Sequence, residues 1–196
     1  MRILARRDPE LAQIARQYGP PPLWAREPGF PTLVHLILEQ QVSIASAAAA
    51  FGRLRAALPA LEPAPFLALD DVTLKRTGFS RQKAAYTREL ARAVASNAID
   101  FGGLPYLSDA DVHAQLTRIK GIGAWTSNVY LLMVLGRPNA FPASDIALLA
   151  AAHKIKRLRK RPSPERLERL AESWRPWRAV AARLLWHFYL SEGGRA

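Results

Sequence analysis

The sequence predicts an all-α protein. Helix-start signatures recur along the chain, at Asp8-Pro9-Glu10, Ser80, Ser108-x-x-Asp111 and Ser163-Pro164-Glu165. Gly and Pro punctuate the segments between them. No stretch sustains the period-two alternation of β-branched residues that a strand needs. In chain order, Asp8 caps a helix that begins at Pro9 and stops near Gly19. Residues 31–41 form a mostly apolar helix, and Ser43 caps an Ala-rich one reaching about Ala57. Pro59, Pro63 and Pro65 mark the next connection. Ser80 opens a basic amphipathic helix through about Asn97, and Ser108-x-x-Asp111 resembles a capping box for a helix ending near Ile119. The next helix spans Ala124 to Leu135, and Asp145 stands at the start of another. Ser163-Pro164-Glu165 begins the following helix, and Pro176 begins the last, which runs to about Leu190.

At 196 residues and 49% hydrophobic content, the chain can bury the core of one domain or of two closely packed lobes. Lys and Arg number 28 against 16 acidic residues, a net charge of +12. That imbalance favours a polyanionic partner, most simply nucleic acid; a basic surface kept for solubility is the plainer reading. The chain contains no cysteine, which excludes disulfides, zinc thiolates, catalytic thiols and iron–sulfur clusters, and fits a reducing cytosol. The N-terminal MRILARRDPE lacks an apolar signal region, and no apolar run approaches the roughly 20 residues of a membrane span. A cytoplasmic protein with no membrane attachment is therefore expected. Four histidines (His35, His113, His153, His187) lack metal-ligand spacing.

The richest segment is Leu116 to Asp145, LTRIKGIGAWTSNVYLLMVLGRPNAFPASD. Gly121 and Gly123 allow a tight turn and close backbone approach, and their N–H groups stand at the start of a helix, where the dipole favours a phosphate. Lys120 adds a mobile charge. The same spacing also fits an ordinary αα-hairpin. Asp145 follows Gly123 by 22 residues; alone, it reads equally well as a helix N-cap. A phosphate clamp with an acid behind it suggests chemistry on DNA. A faint echo of the unit, Leu74-Lys75-Arg76-Thr77-Gly78-Phe79 with the helix after it, places Arg81 and Lys83 beside Gly78 for backbone contact. Lys154 to Arg161 holds six basic residues in eight, which reads slightly better as solvated surface than as a phosphate track.

Gly121-Ile122-Gly123-Ala124-Trp125-Thr126-Ser127-Asn128 resembles the hairpin of the helix-hairpin-helix (HhH-GPD) DNA glycosylases, and within them is most similar to the alkylbase, or 3-methyladenine glycosylase II, group. Three more segments agree, in the family's order. Ile37-Leu38-Glu39-Gln40-Gln41-Val42-Ser43-Ile44 resembles an early helix and turn, Gly78-Phe79-Ser80-Arg81-Gln82-Lys83-Ala84 a second hairpin, and Trp174-Arg175-Pro176-Trp177-Arg178 with Trp186 the closing helix.

The resemblance implies a two-lobed helical fold with an interlobe cleft and no N-terminal β domain. One lobe would cover about 30–140, with the hairpin at 116–135, and the other the N-terminal helix and about 141–196, all within one 1–196 unit. It implies Asp145 as the catalytic carboxylate, and Trp125, Trp186 and His187 in the base pocket. Gln41 would be the wedge that fills the gap left by an extruded nucleotide. His187 and Val129 depart from aromatics found in some relatives. Core packing is the expectation for Trp174 and Trp177. Gly121, Gly123, Lys120, Thr126, Gly78, Arg81 and Lys83 would bind the DNA backbone, and the main-chain carbonyls of Thr117, Ile119 and Ile122 a monovalent Na+ or K+. No cofactor for chemistry is expected.

The implied activity is that of a monofunctional, monomeric glycosylase of base excision repair. It would hydrolyse the N-glycosidic bond of alkylated purines such as 3-methyladenine and 7-methylguanine in double-stranded DNA, leaving an abasic site. In the lyase branches a hairpin lysine forms a Schiff base; Lys120 precedes the glycines and is wrongly placed for that. Two alternatives stay open: a glycosylase for another lesion (ethenoadenine, uracil or an oxidised purine), and a non-enzymatic helix-hairpin-helix module that only holds DNA.

Overall fold

A computed structural model describes residues 1–193. Among the described residues the regular structure is helical, with no strand. The chain divides into two compact units, Met1–Ala25 with Leu131–Ala196, and Arg26–Tyr130. The last three positions of the expected 1–196 unit lie outside the described residues.

The first unit opens with α1 (Arg2–Arg7) and α2 (Pro9–Tyr18). The sequence reading missed α1, whose six residues carry no N-terminal side-chain cap. It is held by its fully buried Leu4, and Arg6 and Arg7 complement the dipole at its C-terminal end. Asp8 caps α2 by accepting the Leu11 N–H at 3.1 Å, and Gly19, at φ 78°, ends the helix as expected.

The second unit is built around α3 (Phe30–Glu39), which buries Phe30, Leu33, Val34, Leu36, Ile37 and Leu38. At about 1.5–3 kcal/mol per buried side chain, this helix is the unit's main hydrophobic anchor. It ends two residues before Gln41, because Gln40 turns to ψ 122° and Gln41 adopts a left-handed φ of 57°. Ser43 caps α4 (Ile44–Ala57) as expected. The Pro-rich connection contains an unforeseen short helix, α5 (Pro63–Leu67), pinned by Phe66, whose ring packs between those of Phe30 and Phe79. Then come α6 (Asp71–Thr77), α7 (Arg81–Ala95, capped by Ser80) and α8 (Asp109–Thr117). Ser108 accepts the Asp111 N–H at 3.1 Å and donates its hydroxyl to Asp111 Oδ2 at 2.6 Å. The capping box is therefore half formed: the acid engages the cap's hydroxyl and not its N–H. Helix α9 (Ala124–Met133) stops two residues before Leu135, where the Arg137 N–H folds back onto the Leu131 carbonyl.

The chain returns to the first unit with α10 (Ile146–Ile155), α11 (Pro164–Ala171) and α12 (Arg178–Ser191). Pro176 does not open the last helix. The Trp177 N–H closes a turn onto the Trp174 carbonyl at 2.8 Å, so Pro176 sits in that turn. Trp177 is 37% exposed, against the expected core role, whereas Trp174 is buried. Helix α12 packs on α2 and α10. Asp8 Oδ2 accepts Trp174 Nε1 and Lys156 Nζ, both at 2.7 Å, tying the start of α2 to the end of α10. Burial pushes the Asp8 carboxyl up, but the hydrogen bonds from Lys156, Trp174 and Leu11 outweigh it and hold its pKa below the ordinary value.

Candidate functional site

In the second unit, α8 and α9 join through residues 118–123. Ile119 and Ile122 are buried and anchor the turn from beneath, and the Ile122 N–H donates to the Ile119 carbonyl at 3.0 Å. The two glycines do different work. Gly121 has φ 97°, and a Cβ there would lie 2.2 Å from Cγ of Tyr86 on α7. Gly123 faces open space, with nothing within 4 Å of a Cβ built on it. Gly121 is thus a packing glycine, and Gly123 leaves a bare, exposed backbone at the start of α9. Lys120 is exposed beside them, and Trp125 is half-buried in the first turn of α9.

Gln40, which sequence reasoning left without a role, braces this turn. Its Nε2 donates to the Gly121 carbonyl at 2.9 Å and to Thr126 Oγ1 at 3.1 Å. Thr126 is consequently 1% exposed and turned inward, so its side chain does not serve as a DNA-backbone contact. Lys83 requires the same correction: its Nζ donates to the Leu38 carbonyl at 2.7 Å, where a cation suits the end of α3, and burial pushes its pKa down. Gly78, at φ 104°, donates its N–H to carbonyls at the end of α6 and has none to offer a phosphate. Arg81 remains exposed. Gln41 is also exposed, and its left-handed backbone sits between exposed Val42 and the end of α3.

Thr117, Ile119 and Ile122, whose carbonyls are the expected cation ligands, belong to the end of α8 and the turn after it. The carbonyl of Ile119 accepts the Ile122 N–H, and those of Thr117 and Ile122 accept no backbone hydrogen bond among the described residues. An oxygen-only, uncharged donor set of this kind suits a hard alkali cation. Among the described residues no group of three or more His, Cys, Asp or Glu could hold a metal ion.

In the first unit, Asp145 closes the loop between α9 and α10. Its N–H bonds the Pro142 carbonyl at 2.9 Å, and Phe141 beneath it packs edge-on against Trp174. The half-buried carboxylate caps α10, Oδ1 accepting the Leu148 N–H at 3.0 Å. The same oxygen accepts Trp186 Nε1 at 3.0 Å. Two donors from two helices therefore fix one carboxylate. Trp186 is 8% exposed, so its contribution is this hydrogen bond more than an open stacking face.

Trp186 in turn belongs to an aromatic group. Trp24 meets Trp186 edge-on at 6.3 Å and His187 at 6.5 Å, and Tyr18 meets His187 at 6.1 Å. A nitrogen of His187 is 2.9 Å from the Tyr18 carbonyl, which holds the ring in place. Trp24, missed in the sequence, is half-exposed, and the Leu23 carbonyl beside it accepts Arg183 Nε at 2.9 Å. Its only signal is a tryptophan in an otherwise aperiodic Pro-rich stretch. Val129 is buried on α9.

The chain is similar to known proteins in sequence and in fold. The chain is 34% identical to YfjP of Bacillus subtilis over 125 residues, which make up 64% of this chain and 44% of that protein. It thus spans less than half of that relative's length. The structure superposes on a 3-methyladenine DNA glycosylase from Schizosaccharomyces pombe, solved in complex with abasic DNA, with a TM-score of 0.85 and 26% identity, covering 95% of this chain and 91% of that one. It also shares its fold with a Clostridium acetobutylicum 8-oxoguanine glycosylase/lyase, at TM-score 0.82 and 14% identity, over 99% and 69% of the two chains. Residues 34–176 match the family model of the HhH-GPD superfamily base excision DNA repair proteins. On that match, which takes in the glycine hairpin and Asp145, the chain belongs to the HhH-GPD superfamily of base excision DNA repair proteins.

Proposed function

We propose that the protein is a monofunctional DNA glycosylase that hydrolyses the N-glycosidic bond of alkylated purines, of the 3-methyladenine and 7-methylguanine type, and leaves an abasic site. The observation that carries the reading is the double tether of Asp145 Oδ1 by the Leu148 N–H and Trp186 Nε1. A residue serving only as an N-cap has no need of the indole, and a module that merely holds DNA has no use for an oriented acid among aromatic rings. The likeness to a 3-methyladenine glycosylase over nearly the whole chain supports the choice of lesion.

Cleavage of a base–sugar bond builds positive charge on the deoxyribose. A fixed carboxylate stabilises that charge and orients, or takes a proton from, the attacking water. An N-alkylated purine is already cationic and departs without a general acid, so one carboxylate suffices. Trp24 and His187 supply rings for an extruded cationic base, where cation–π attraction adds about 1–2 kcal/mol when desolvated. Gln41 enters the duplex in place of the extruded nucleotide. Gly123, Lys120 and Arg81 take the backbone, and the carbonyls of Thr117, Ile119 and Ile122 would hold Na+ or K+, whose charge would favour a phosphate there. Lys120 sits before the glycines, away from the position of a Schiff-base amine, which supports hydrolysis without strand cleavage. The protein acts as a monomer on double-stranded DNA, in the cytoplasm or nucleoid; among the described residues no helix is long and apolar enough to cross a membrane.

The test is Asp145→Asn on a duplex carrying a methylated purine, with strand breaks read after alkali. Asparagine keeps an oxygen for the α10 cap, so the variant should stay folded and bind DNA while excision falls about 100-fold or more. Undiminished excision removes Asp145 from the mechanism. A neutral lesion such as an oxidised purine needs protonation to leave, so a rate that falls steeply with rising pH would favour that second reading, which the shared fold with an 8-oxoguanine enzyme motivates.

A further inference from the structure

The basic run from Lys154 to Arg161 separates into two groups once its partners are known. Lys154 pairs with Glu192, and Lys156 with Asp8 at 2.7 Å and Glu10 at 3.1 Å. Those two charges are neutralised within the first unit. Arg157, Arg159, Lys160 and Arg161 are exposed and make no ion pair among the described residues. Arg157 has a left-handed φ of 48°, with the Leu158 N–H returning to the His153 carbonyl, so the chain turns sharply out of α10 there. The turn brings Arg157, Arg159 and Lys160 against Arg166, in the first turn of α11. With Leu158 these four cations line an open cavity of about 580 Å³. Glu165, the acid next to Arg166 in the chain, is held below its ordinary pKa mainly by the Ser163 hydroxyl.

Four cations held around one concavity repel one another, and an anion of matching size relieves that repulsion. Three of the four are arginines, whose planar forks suit phosphate oxygens. None of the large exposed apolar side chains lines the cavity, so it lacks what a membrane-surface site would insert. It also lies at the end of α10 opposite Asp145, about 15 Å away at 1.5 Å per residue. That distance is more than four times the axial rise of about 3.4 Å per nucleotide of a strand, which puts the cavity beyond the phosphates flanking a nucleotide at Asp145.

We propose that this cavity is a second phosphate-binding site, which holds a stretch of DNA backbone other than the one presenting the nucleotide to Asp145. It depends on the proposed function only in taking DNA as the polyanion. Two such sites on one protein let it keep hold of DNA with one while the other releases.

The experiment removes three of the charges together, Arg159→Ala/Lys160→Ala/Arg166→Ala. A charge-matched comparison, Arg2→Ala/Arg6→Ala/Arg16→Ala, removes three exposed arginines elsewhere in the same unit. Binding of undamaged duplexes of about 12 and about 40 base pairs is followed by fluorescence anisotropy from about 50 to 200 mM salt. Each lost phosphate contact lowers the log–log salt slope by about 0.9, so the cavity variant should lose affinity about 10- to 40-fold less than wild type across that range, while the comparison variant follows wild type. A larger effect with the longer duplex assigns the second stretch to the same DNA molecule. Loss of a second bound short duplex per protein assigns it to another. A slope equal to wild type, or an equal change in both variants, overturns the proposal. Single-turnover release of a methylated purine from the short duplex is measured alongside. If the wild-type protein releases none, the proposed activity fails and the binding comparison still decides the second site.

Discussion

Gly121 and Gly123 stand two residues apart in one turn, yet the structure predicts that alanine acts on them in opposite ways. At Gly121 the new Cβ meets Tyr86 Cγ at 2.2 Å, with Cβ and Cδ2 of that ring at 2.4 and 2.6 Å. A close approach to the base of a ring cannot be relieved by rotating a flexible tip, so backbone must shift. Overpacking of this kind costs about 1–3 kcal/mol, and a side chain at φ 97° costs about another 1–3 kcal/mol. The middle of that sum is about 4 kcal/mol, which for a chain of this size lowers Tm by roughly 8–16 °C. At Gly123 there is no neighbour within 4 Å and no left-handed φ, so alanine should change stability by no more than about 1 kcal/mol. Its methyl group would instead stand at the start of α9, where the proposed phosphate contact forms. Losing one charge-assisted hydrogen bond there costs about 1.5–3 kcal/mol, or 10- to 100-fold in Kd. Thermal unfolding followed by circular dichroism, and duplex binding by anisotropy, measure the two quantities separately. The reasoning fails if Gly123→Ala melts as low as Gly121→Ala, or if it binds DNA as tightly as wild type.

Trp186→Phe keeps an aromatic ring but removes the N–H that reaches Asp145 Oδ1. Single-turnover excision should fall about 10- to 100-fold, the worth of a hydrogen bond to a charged acceptor, with duplex affinity unchanged; an unaltered rate would show that the indole does not orient the carboxylate. The Asp8 carboxyl is held below the ordinary aspartate range, so its stabilisation is present above that range and is lost as pH falls through the folded-state value. Wild type should therefore destabilise steeply below about pH 4. Asp8→Asn, which breaks the buried pair with Lys156, should lose about 3 kcal/mol at neutral pH and show a flatter acid limb in urea titrations. Equal acid limbs would assign the transition to other carboxylates.

The helices capped by Asp8, Ser43, Ser80, Ser108 and Ser163 were legible because a cap is a local event, complete within four residues. Helices α1 and α5 were not: they are five or six residues long and persist because Leu4 and Phe66 are buried by distant parts of their units. The hairpin and Asp145 stood out by spacing and by resemblance, but the contacts that organise them are non-local. Gln40 reaches Gly121 across 81 residues, and Trp186 reaches Asp145 across 41. Lys83 and Thr126 misled for a related reason. Residue type announces a polar group near a clamp, yet the side-chain direction depends on which acceptor or donor the neighbouring helix offers, here the Leu38 carbonyl and Gln40. Trp24 lay in a segment with no periodicity to assign it a face.

Asp145 begins α10 with the same oxygen that Trp186 grips. If Asp145 acts as proposed, folding and turnover draw on a single atom, and selection to keep the protein intact would preserve this aspartate even in a descendant that had abandoned repair. Among relatives, the acid alone is a poor marker of a working enzyme; the acid together with an indole 41 positions later is the better one, because only the second member is dispensable to the helix.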